Sequence, residues 1–380
     1  MKKLRVGVIY GGRSGEHEVS IASAAAVVAN LDKQRYEPIP IRIEKDGRWV
    51  IADRLPISSS AAEVIEQGKL SAGQRLSRGG REAHLVAHPG EEQILTIERG
   101  DKPSITGLGL DVVFPVLHGP YGEDGTVQGL LELANVPYVG SGVLASAVGM
   151  DKAVSKFVFV AKGLPISKYL VVLRQNWIEQ SSGISAAVAS QLGYPVFVKP
   201  ANLGSSVGIS KVKSPAELKT AIDVAGEYDR KIVIEAAVPN AREIEVAVLG
   251  NDHPEASVPG EVIPSREFYD YEAKYLDDDS RVIIPADLPA KVAAEVQQLA
   301  IEVFLALDCA GMARVDFLMD AKSGTMYLNE INTIPGFTTI SMYSKMWAAS
   351  GVSYPQLLDK LIGLALERHT EKQQLRTSLP

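Results

Sequence analysis

Two late segments of the chain constrain its architecture more than any other feature. ARVDFLMD (313–320) and TMYLNEIN (325–332) flank the polar tetrapeptide AKSG and read as a β-hairpin. Along both arms, apolar residues alternate with Arg314, Asp316, Glu330 and Asn332. A hairpin turning around Ser323 puts Asp316 opposite Glu330, within a residue of register, with Cβ atoms ~5 Å apart. Glu330 and Asn332 share a face by the two-residue period of a strand. Two carboxylates that close repel unless a cation or a proton lies between them. Asp316, Glu330 and Asn332 all offer hard oxygen donors, which suits Mg²⁺ carried with a nucleotide's phosphates. Arg314 lies on the face of Asp316, placed to neutralise an anionic intermediate. A solvated hairpin face is the plainer alternative, and it must explain why apolar residues flank every polar one.

The rest of the chain supplies a scaffold for such a hairpin. With 380 residues it exceeds the ~250–300 at which one core usually divides, so two or three domains are expected. LRVGVIY reads as a buried strand, the glycine-rich GGRSGEHEVS as a turn, SIASAAAVVANLD as a helix and YEPIPIRI as a second strand. That order opens an α/β sheet, and Asp46-Gly47 marks a hairpin after it. Residues 55–90 show no clear period and read as a surface insertion. DVVFPVLHG resumes the strand pattern. One helix is predicted from Val143 to Lys162. YLVVL, YPVFVKP, GISKV, KIVIEAAV and EIEVAVLG read as strands, and Ser214, Pro215 and Glu217 open a helix with a capping-box pattern. SREFYDYEAKYLDDDSRV is an aperiodic loop of the length that usually carries function. A long amphipathic helix follows at 289–308, and a helical tail at 354–370.

Composition excludes several classes. A formal charge of -7 argues against a general nucleic-acid binder. The single cysteine, Cys309, rules out an internal disulfide and reads as core packing. The N-terminus reads as a first strand rather than a signal peptide. No run approaches 18 apolar residues, so no membrane span is expected.

VFVKPANLGSSVGISKV (196–212) is the second chemical feature. A turn with two glycines and two serines presents backbone N–H groups that can hold phosphate oxygens. Lys199, at the end of the preceding strand, adds positive charge. No G-x₄-G-K-[ST] and no G-x-G-x-x-G occurs, so this is neither a P-loop nor a dinucleotide fingerprint. Gly204-Ser205-Ser206-Val207-Gly208 matches the G-x-S-x-G of hydrolases, but that motif needs a helix after the serine and ISKV is strand-like. A plain hairpin turn also remains open.

Taken together, GGRSGEHEVS, LHGPYGEDGTVQG, MDK, VKPANLGSSVGISK, EIEVAVLG, YDYEAKY, RVDF and NEINTIPGFTTISMY resemble, in order and across nearly the whole chain, the D-alanine–D-alanine ligase family of the ATP-grasp superfamily. The resemblance implies an α/β (α+β overall) three-domain ATP-grasp architecture. An N-terminal open-sheet domain would occupy 1–142 with the insertion at 55–90. A central subdomain with the glycine-rich flap would occupy 143–237. A C-terminal subdomain would occupy 238–380, with a lid loop at 264–283 and the metal hairpin. It implies ATP-dependent ligation of two D-alanine molecules through an acyl phosphate, for peptidoglycan precursors. By the same resemblance Asp316, Glu330 and Asn332 hold two Mg²⁺, with Mn²⁺ as a substitute. Lys152, Lys199, Lys274 and the Ser206 flap contact ATP phosphates, and Glu235 and Glu243 bind the adenine amino group and the ribose. Glu16 and His118 place the first D-alanine. Arg314 and the Gly336 amide stabilise the oxyanion, while Ser341 and the Met342 amide grip the second carboxylate. Glu16, Ser205 and Tyr275 form the hydrogen-bonded triad that closes the site. A cytoplasmic homodimer joined through the N-terminal domain, with no nucleic-acid or membrane partner, completes the expectation. The rivals are a ligase making a D-alanyl ester with D-lactate, which Tyr275 disfavours, another ATP-grasp carboxylate–amine ligase, and a nucleotide-binding protein without catalysis.

Overall fold

The computed structural model describes residues 2–53, 56, 64, 81–98, 104–263, 281–338 and 340–376. Three sheets organise them. The first has seven strands, in the order Ser104–Leu108, Ile94–Glu98, Arg81–Leu85, Trp49–Ile51, Tyr36–Ile43, Leu4–Gly11 and Val112–Pro115. Leu4–Gly11 pairs in parallel with both of its neighbours, and the helix His17–Asn30 makes the crossover between it and Tyr36–Ile43. The βα start read from the sequence is therefore present, and the Asp46-Gly47 hairpin brings Ile43 opposite Trp49, with Gly47 at φ +91°.

The outer strands of this sheet depart from the expectation. Arg81–Leu85 lies inside the segment read as an aperiodic insertion, yet it pairs with Trp49–Ile51 and buries Ala83. Ile94–Glu98 and Ser104–Leu108 extend the sheet beyond it. These strands are short, and half-exposed Leu95 and Ile97, exposed Ile105 and buried Thr96 run against a polar-out alternation, so they offer little periodic signal. Residues 57–63 and 65–80 of the insertion lie outside the described residues.

The second sheet is antiparallel, in the order Ser210–Val212, Val196–Pro200, Lys231–Ala236, Tyr169–Leu173, with Trp177, Leu218 and Ile222 from two helices packed on Val196, Val198 and Ile234. The third carries Arg281–Ile283, Gly260–Ile263, Ala241–Gly250, Gly311–Asp320 and Met326–Asn332 in that order, and the helix Ala290–Ala306 covers it through Val296, Val303 and Phe304. Cys309 is buried in that core, and burial pushes its thiol up to about 12. Arg281–Ile283 also shows that the last residues of the expected lid are strand.

The predicted helix from Val143 to Lys162 is two helices, Val143–Met150 and Lys152–Ala161. Asp151 breaks it in an extended conformation. Its carboxylate accepts from Ala153 and Val154 N–H as the N-cap of the second helix, and it also pairs with Lys231. The break aims Lys152, the first residue of the second helix, toward the second sheet's turn.

A further core joins the N-terminal sheet to the C-terminal helices. Phe337 is fully buried, edge-on to Phe114 at 5.6 Å and tilted against Tyr343 at 5.7 Å. The Pro335-Gly336 turn is thereby anchored to both the first and the last parts of the chain.

Candidate active site

The hairpin has the register its symmetry about Ser323 suggests. Asp316 lies opposite Glu330, and Arg314 opposite Asn332. A register shift follows at once, because Phe317 faces Leu328 and leaves Asn329 as an extra residue. A bulge of this kind re-aims side chains. Here Asn329 and Glu330, which an ideal strand would send to opposite faces, both line the same cleft.

Arg314 is the electrostatic centre. It donates to Asp316 through Nε at 2.8 Å and Nη2 at 2.7 Å, and its Nε lies 3.2 Å from Glu245 Oε2. Asn332 Nδ2 donates to Asp316 Oδ2 at 3.0 Å. Burial opposes the guanidinium's charge, but Asp316 and Glu245 outweigh it and hold Arg314 well above the ordinary arginine range. Glu245 was not singled out from the sequence. It stands two residues from Glu243, hence on the same face, and directly opposite Asp316. Two-residue spacing was the available signal.

A cleft of about 590 Å³ opens between the second and third sheets. Lys152, Lys199, Ser205, Ser206, Glu235, Glu243, Asp316 and Glu330 all reach its wall. Ser205 (φ +49°), Ser206 (φ +58°) and Gly208 (φ +72°) make the flap turn left-handed, and a Cβ on Gly208 would meet Pro200 Cγ at 2.9 Å and Tyr228 Cδ2 at 2.7 Å. Lys152 Nζ donates to the Leu203 carbonyl at 2.9 Å and lies 3.2 Å from Glu330 Oε2. Lys199 Nζ is 3.3 Å from both Glu235 Oε2 and Asn329 Oδ1.

A second, smaller cavity of about 120 Å³ shares Gly204, Ser205, Glu245 and Glu330 with the first. Glu16, His118, Arg314, Asn332, Gly336, Ser341 and Met342 line it as well. Ser205 Oγ donates to Glu16 Oε1, joining the flap to the N-terminal turn. His118 Nε2 and Ser23 Oγ are 3.1 Å apart, and the Phe337 N–H donates to the same Ser23 Oγ at 3.4 Å. His118 Nδ1 lies 3.9 Å from Glu123 Oε1. Burial alone would lower the His118 pKa, but Glu123 and then Glu16 raise it above the ordinary imidazole value, while burial pushes the Glu123 carboxyl up. Ser341 stands at the N-cap position of the helix Met342–Ala349 without a side-chain capping bond, and its Oγ lies 2.8 Å from Thr338 Oγ1. A Cβ on Gly336 would stand 3.0 Å from that Oγ, so the turn approaches the helix start closely.

Of the site residues singled out from the sequence, only Lys274 and Tyr275 lie outside the described residues. The other fifteen line these two joined cavities. Glu123, Lys156, Glu245 and Asn329 belong to the same surroundings and were not foreseen. Lys156 is 1% exposed on the helix Lys152–Ala161, with Nζ 3.3 Å from Glu235 Oε1.

Among the described residues, no three His, Cys, Asp or Glu side chains converge as a metal cage. The donor set is two opposed carboxylates and an amide on a cleft wall. Those hard oxygens fit a dication that keeps other ligands from phosphate or water. Among the described residues no helix is long and apolar enough to cross a membrane.

Comparison with known proteins gives a consistent family. Residues 5–141 match the family described as D-ala D-ala ligase N-terminus, and residues 158–363 its C-terminus counterpart. The D-alanine–D-alanine ligase of Heliobacterium modesticaldum is 50% identical, the match covering 99% of this chain and 98% of that one. Its counterpart from a Thermoanaerobacter species is 51% identical, over 98% and 99%. Among solved structures, the D-alanine-D-alanine ligase from Coxiella burnetii superposes with a TM-score of 0.81 at 37% identity, covering 98% of this chain and 97% of that one. The VanG D-Ala:D-Ser ligase from Enterococcus faecalis superposes at 0.80 and 35%, covering 96% and 100%.

Proposed function

The chain belongs to the D-alanine–D-alanine ligase family, and from that premise we propose how its residues perform the reaction. It is an ATP-dependent, ADP-forming ligase of ATP-grasp fold that joins two D-alanine molecules for peptidoglycan synthesis. The observation that carries the residue assignment is the junction of a large cleft and a small cavity at Gly204, Ser205, Glu245 and Glu330. A nucleotide in the first would point its terminal phosphate at an amino acid in the second.

Lys152 and Lys199 receive the phosphates, with the Ser205–Ser206 turn closing over them. Lys274 adds a further charge from the lid. Glu235 accepts from the adenine amino group, and Glu243 holds the ribose. Asp316, Glu330 and Asn332 would hold two Mg²⁺ ions, which would supply positive charge against the nucleotide's phosphates. Glu16 and His118 seat the first D-alanine, whose carboxylate oxygen attacks the γ-phosphorus as ADP leaves. Phosphoryl transfer of this kind needs mainly positioning and positive charge. The amine of the second D-alanine, gripped by Ser341 and the Met342 amide, then attacks the acyl carbon, and inorganic phosphate departs. Arg314 and the Gly336 amide face the oxyanion of the tetrahedral intermediate, where a single donor is typically worth ~3–4 kcal/mol. Glu16, Ser205 and Tyr275 close the site against water, which would hydrolyse the acyl phosphate.

The enzyme works in the cytoplasm as a homodimer. Exposed Leu133 of the N-terminal domain, with Val143 and Leu144 just past its boundary, are apolar side chains that a second copy would cover, and light scattering on the purified protein tests that state. The reaction is tested by product identification after incubation with ATP, Mg²⁺ and D-alanine, with D-serine and D-lactate offered in competition. D-alanyl-D-alanine as the main product is expected. A dominant ester or D-alanyl-D-serine would overturn the assignment of the second site.

A further inference from the structure

Lys156 raises a question the reaction above does not answer. It sits one helical turn after Lys152, so the two share a face. Lys152 reaches the nucleotide cleft, whereas Lys156 is not part of its wall. Its ammonium is nevertheless buried, 1% exposed, which is rare for lysine and costly unless paired. Its partner is Glu235 Oε1 at 3.3 Å, and the other oxygen of that carboxylate, Oε2, is 3.3 Å from Lys199. One buried carboxylate is thus held between two ammonium groups, one of them behind the cleft wall.

We propose that Lys156 is a positioning residue for nucleobase selection: from behind the wall it keeps Glu235 ionised and oriented, so that Glu235 meets the base only as a hydrogen-bond acceptor. The inference rests on the reading that Glu235 faces the adenine amino group. An acceptor-only carboxylate favours a purine with an exocyclic amine at that position. It repels one with a carbonyl there, which a protonated carboxyl could instead bind as donor. Discrimination of this kind comes from leaving the wrong partner unpaired.

The surroundings agree with that role. Burial would raise the Glu235 carboxyl, but Lys156 and Lys199 outweigh it and hold it below the usual range. Burial lowers the Lys156 ammonium against the pull of Glu235, and nearby Lys199 lowers it further, whereas Glu330 supports its charge from the hairpin. From the adjacent strand Tyr169 lies opposite Glu235, with its ring centroid 5.7 Å from Lys156 Nζ. Lys199 alone cannot replace Lys156, because it is shared with Asn329 and faces the cleft, where the phosphates compete for it.

The test compares ATP with inosine triphosphate, whose base carries a carbonyl in place of the amine. Lys156→Met removes the charge at similar volume, and Lys156→Gln removes it while keeping a donor. In both variants the Glu235 pKa rises. Measured at about pH 8 and about pH 6, the preference in kcat/KM for ATP over inosine triphosphate is expected to fall about tenfold or more below that of the wild type, and further at the lower pH, because loss of the ammonium favours the protonated form of the Glu235 carboxyl. The wild type should hold its preference across that interval. The change should lie in KM, with kcat at saturating ATP nearly unaltered, and melting curves identify which of the two variants folds natively. Wild-type preference in both variants at both pH values overturns the inference, as does full recovery in Lys156→Gln, which would assign the effect to the donor rather than the charge. Glu235→Gln separates the two layers. If it alters the preference while the Lys156 variants do not, the inference fails and the Glu235 reading stands. If Glu235→Gln leaves the preference intact, the reading beneath fails.

Discussion

Replacing Glu330 with glutamine separates the chemistry of the hairpin from its stability. In the folded protein two of the charges around Glu330 act on it in opposite directions. Lys152 Nζ stands 3.2 Å away, with the two side chains 11% and 24% exposed. A pair of that exposure contributes about 1 kcal/mol or less. Asp316 lies directly across the strand pair. Two carboxylates ~5 Å apart at an effective dielectric constant of ~20 repel by roughly 3 kcal/mol before neighbouring charges are counted. Most of that repulsion is already cancelled, because Arg314 makes two hydrogen bonds to Asp316. The glutamine loses the attraction and relieves the residual repulsion, and Lys152 keeps its bond to the Leu203 carbonyl. The net stability change should stay within about 1 kcal/mol, a shift in Tm of a few degrees at most. Turnover should behave differently. A dication held at this position contributes several kcal/mol of transition-state charge stabilisation, and ~4 kcal/mol corresponds to about a thousandfold in rate. Calorimetric melting and a coupled ADP-release assay with saturating ATP, Mg²⁺ and D-alanine read the two effects separately. A kcat within about tenfold of the wild type would remove Glu330 from the metal site, since one lost ligand charge must cost more. A Tm lowered by more than about 8 °C would make Glu330 part of the scaffold instead.

Three further outcomes are expected. Lys199→Ala should raise the Kd for ATP and slow phosphoryl transfer while releasing Glu235 Oε2 and Asn329; calorimetric titration with ATP checks it, and unchanged affinity would make Lys199 a structural partner of Glu235 only. Phe337→Ala empties the contact between Phe114, Tyr343 and Tyr354, at a cost of about 3–5 kcal/mol, to be read as a lower Tm without nucleotide. His118 has a raised folded pKa, so its charge stabilises the fold fully below the unfolded value of about 6.5 and the effect fades as pH rises through the folded value. His118→Gln should therefore lower Tm more at about pH 6 than at about pH 9, and an equal loss at both would sink the charged pair with Glu123.

The parts of this molecule that were legible in the sequence are those whose geometry is local. The hairpin could be read because Asp316 and Glu330 are equidistant from Ser323 and because apolar residues fix which face each arm buries. The bulge at Asn329 could not. One added residue alters the alternation only where both neighbours, Leu328 and Glu330, already fit an ordinary strand. The helix break at Asp151 had a signal, an N-cap residue before Lys-Ala, but apolar residues continue on both sides and a longer helix explains them equally well. Glu245 had the two-residue spacing from Glu243, yet its partner Arg314 lies 69 positions further on in the numbering. Lys156 is the extreme case. In MDKAVSK it looks like one more solvated helix lysine. Only the fold brings Glu235 to within 3.3 Å of it and removes the water from both. Sequence periodicity decides which face of an element is buried. Whether a charge on that face is a fault or a device depends on which carboxylate the next sheet places against it.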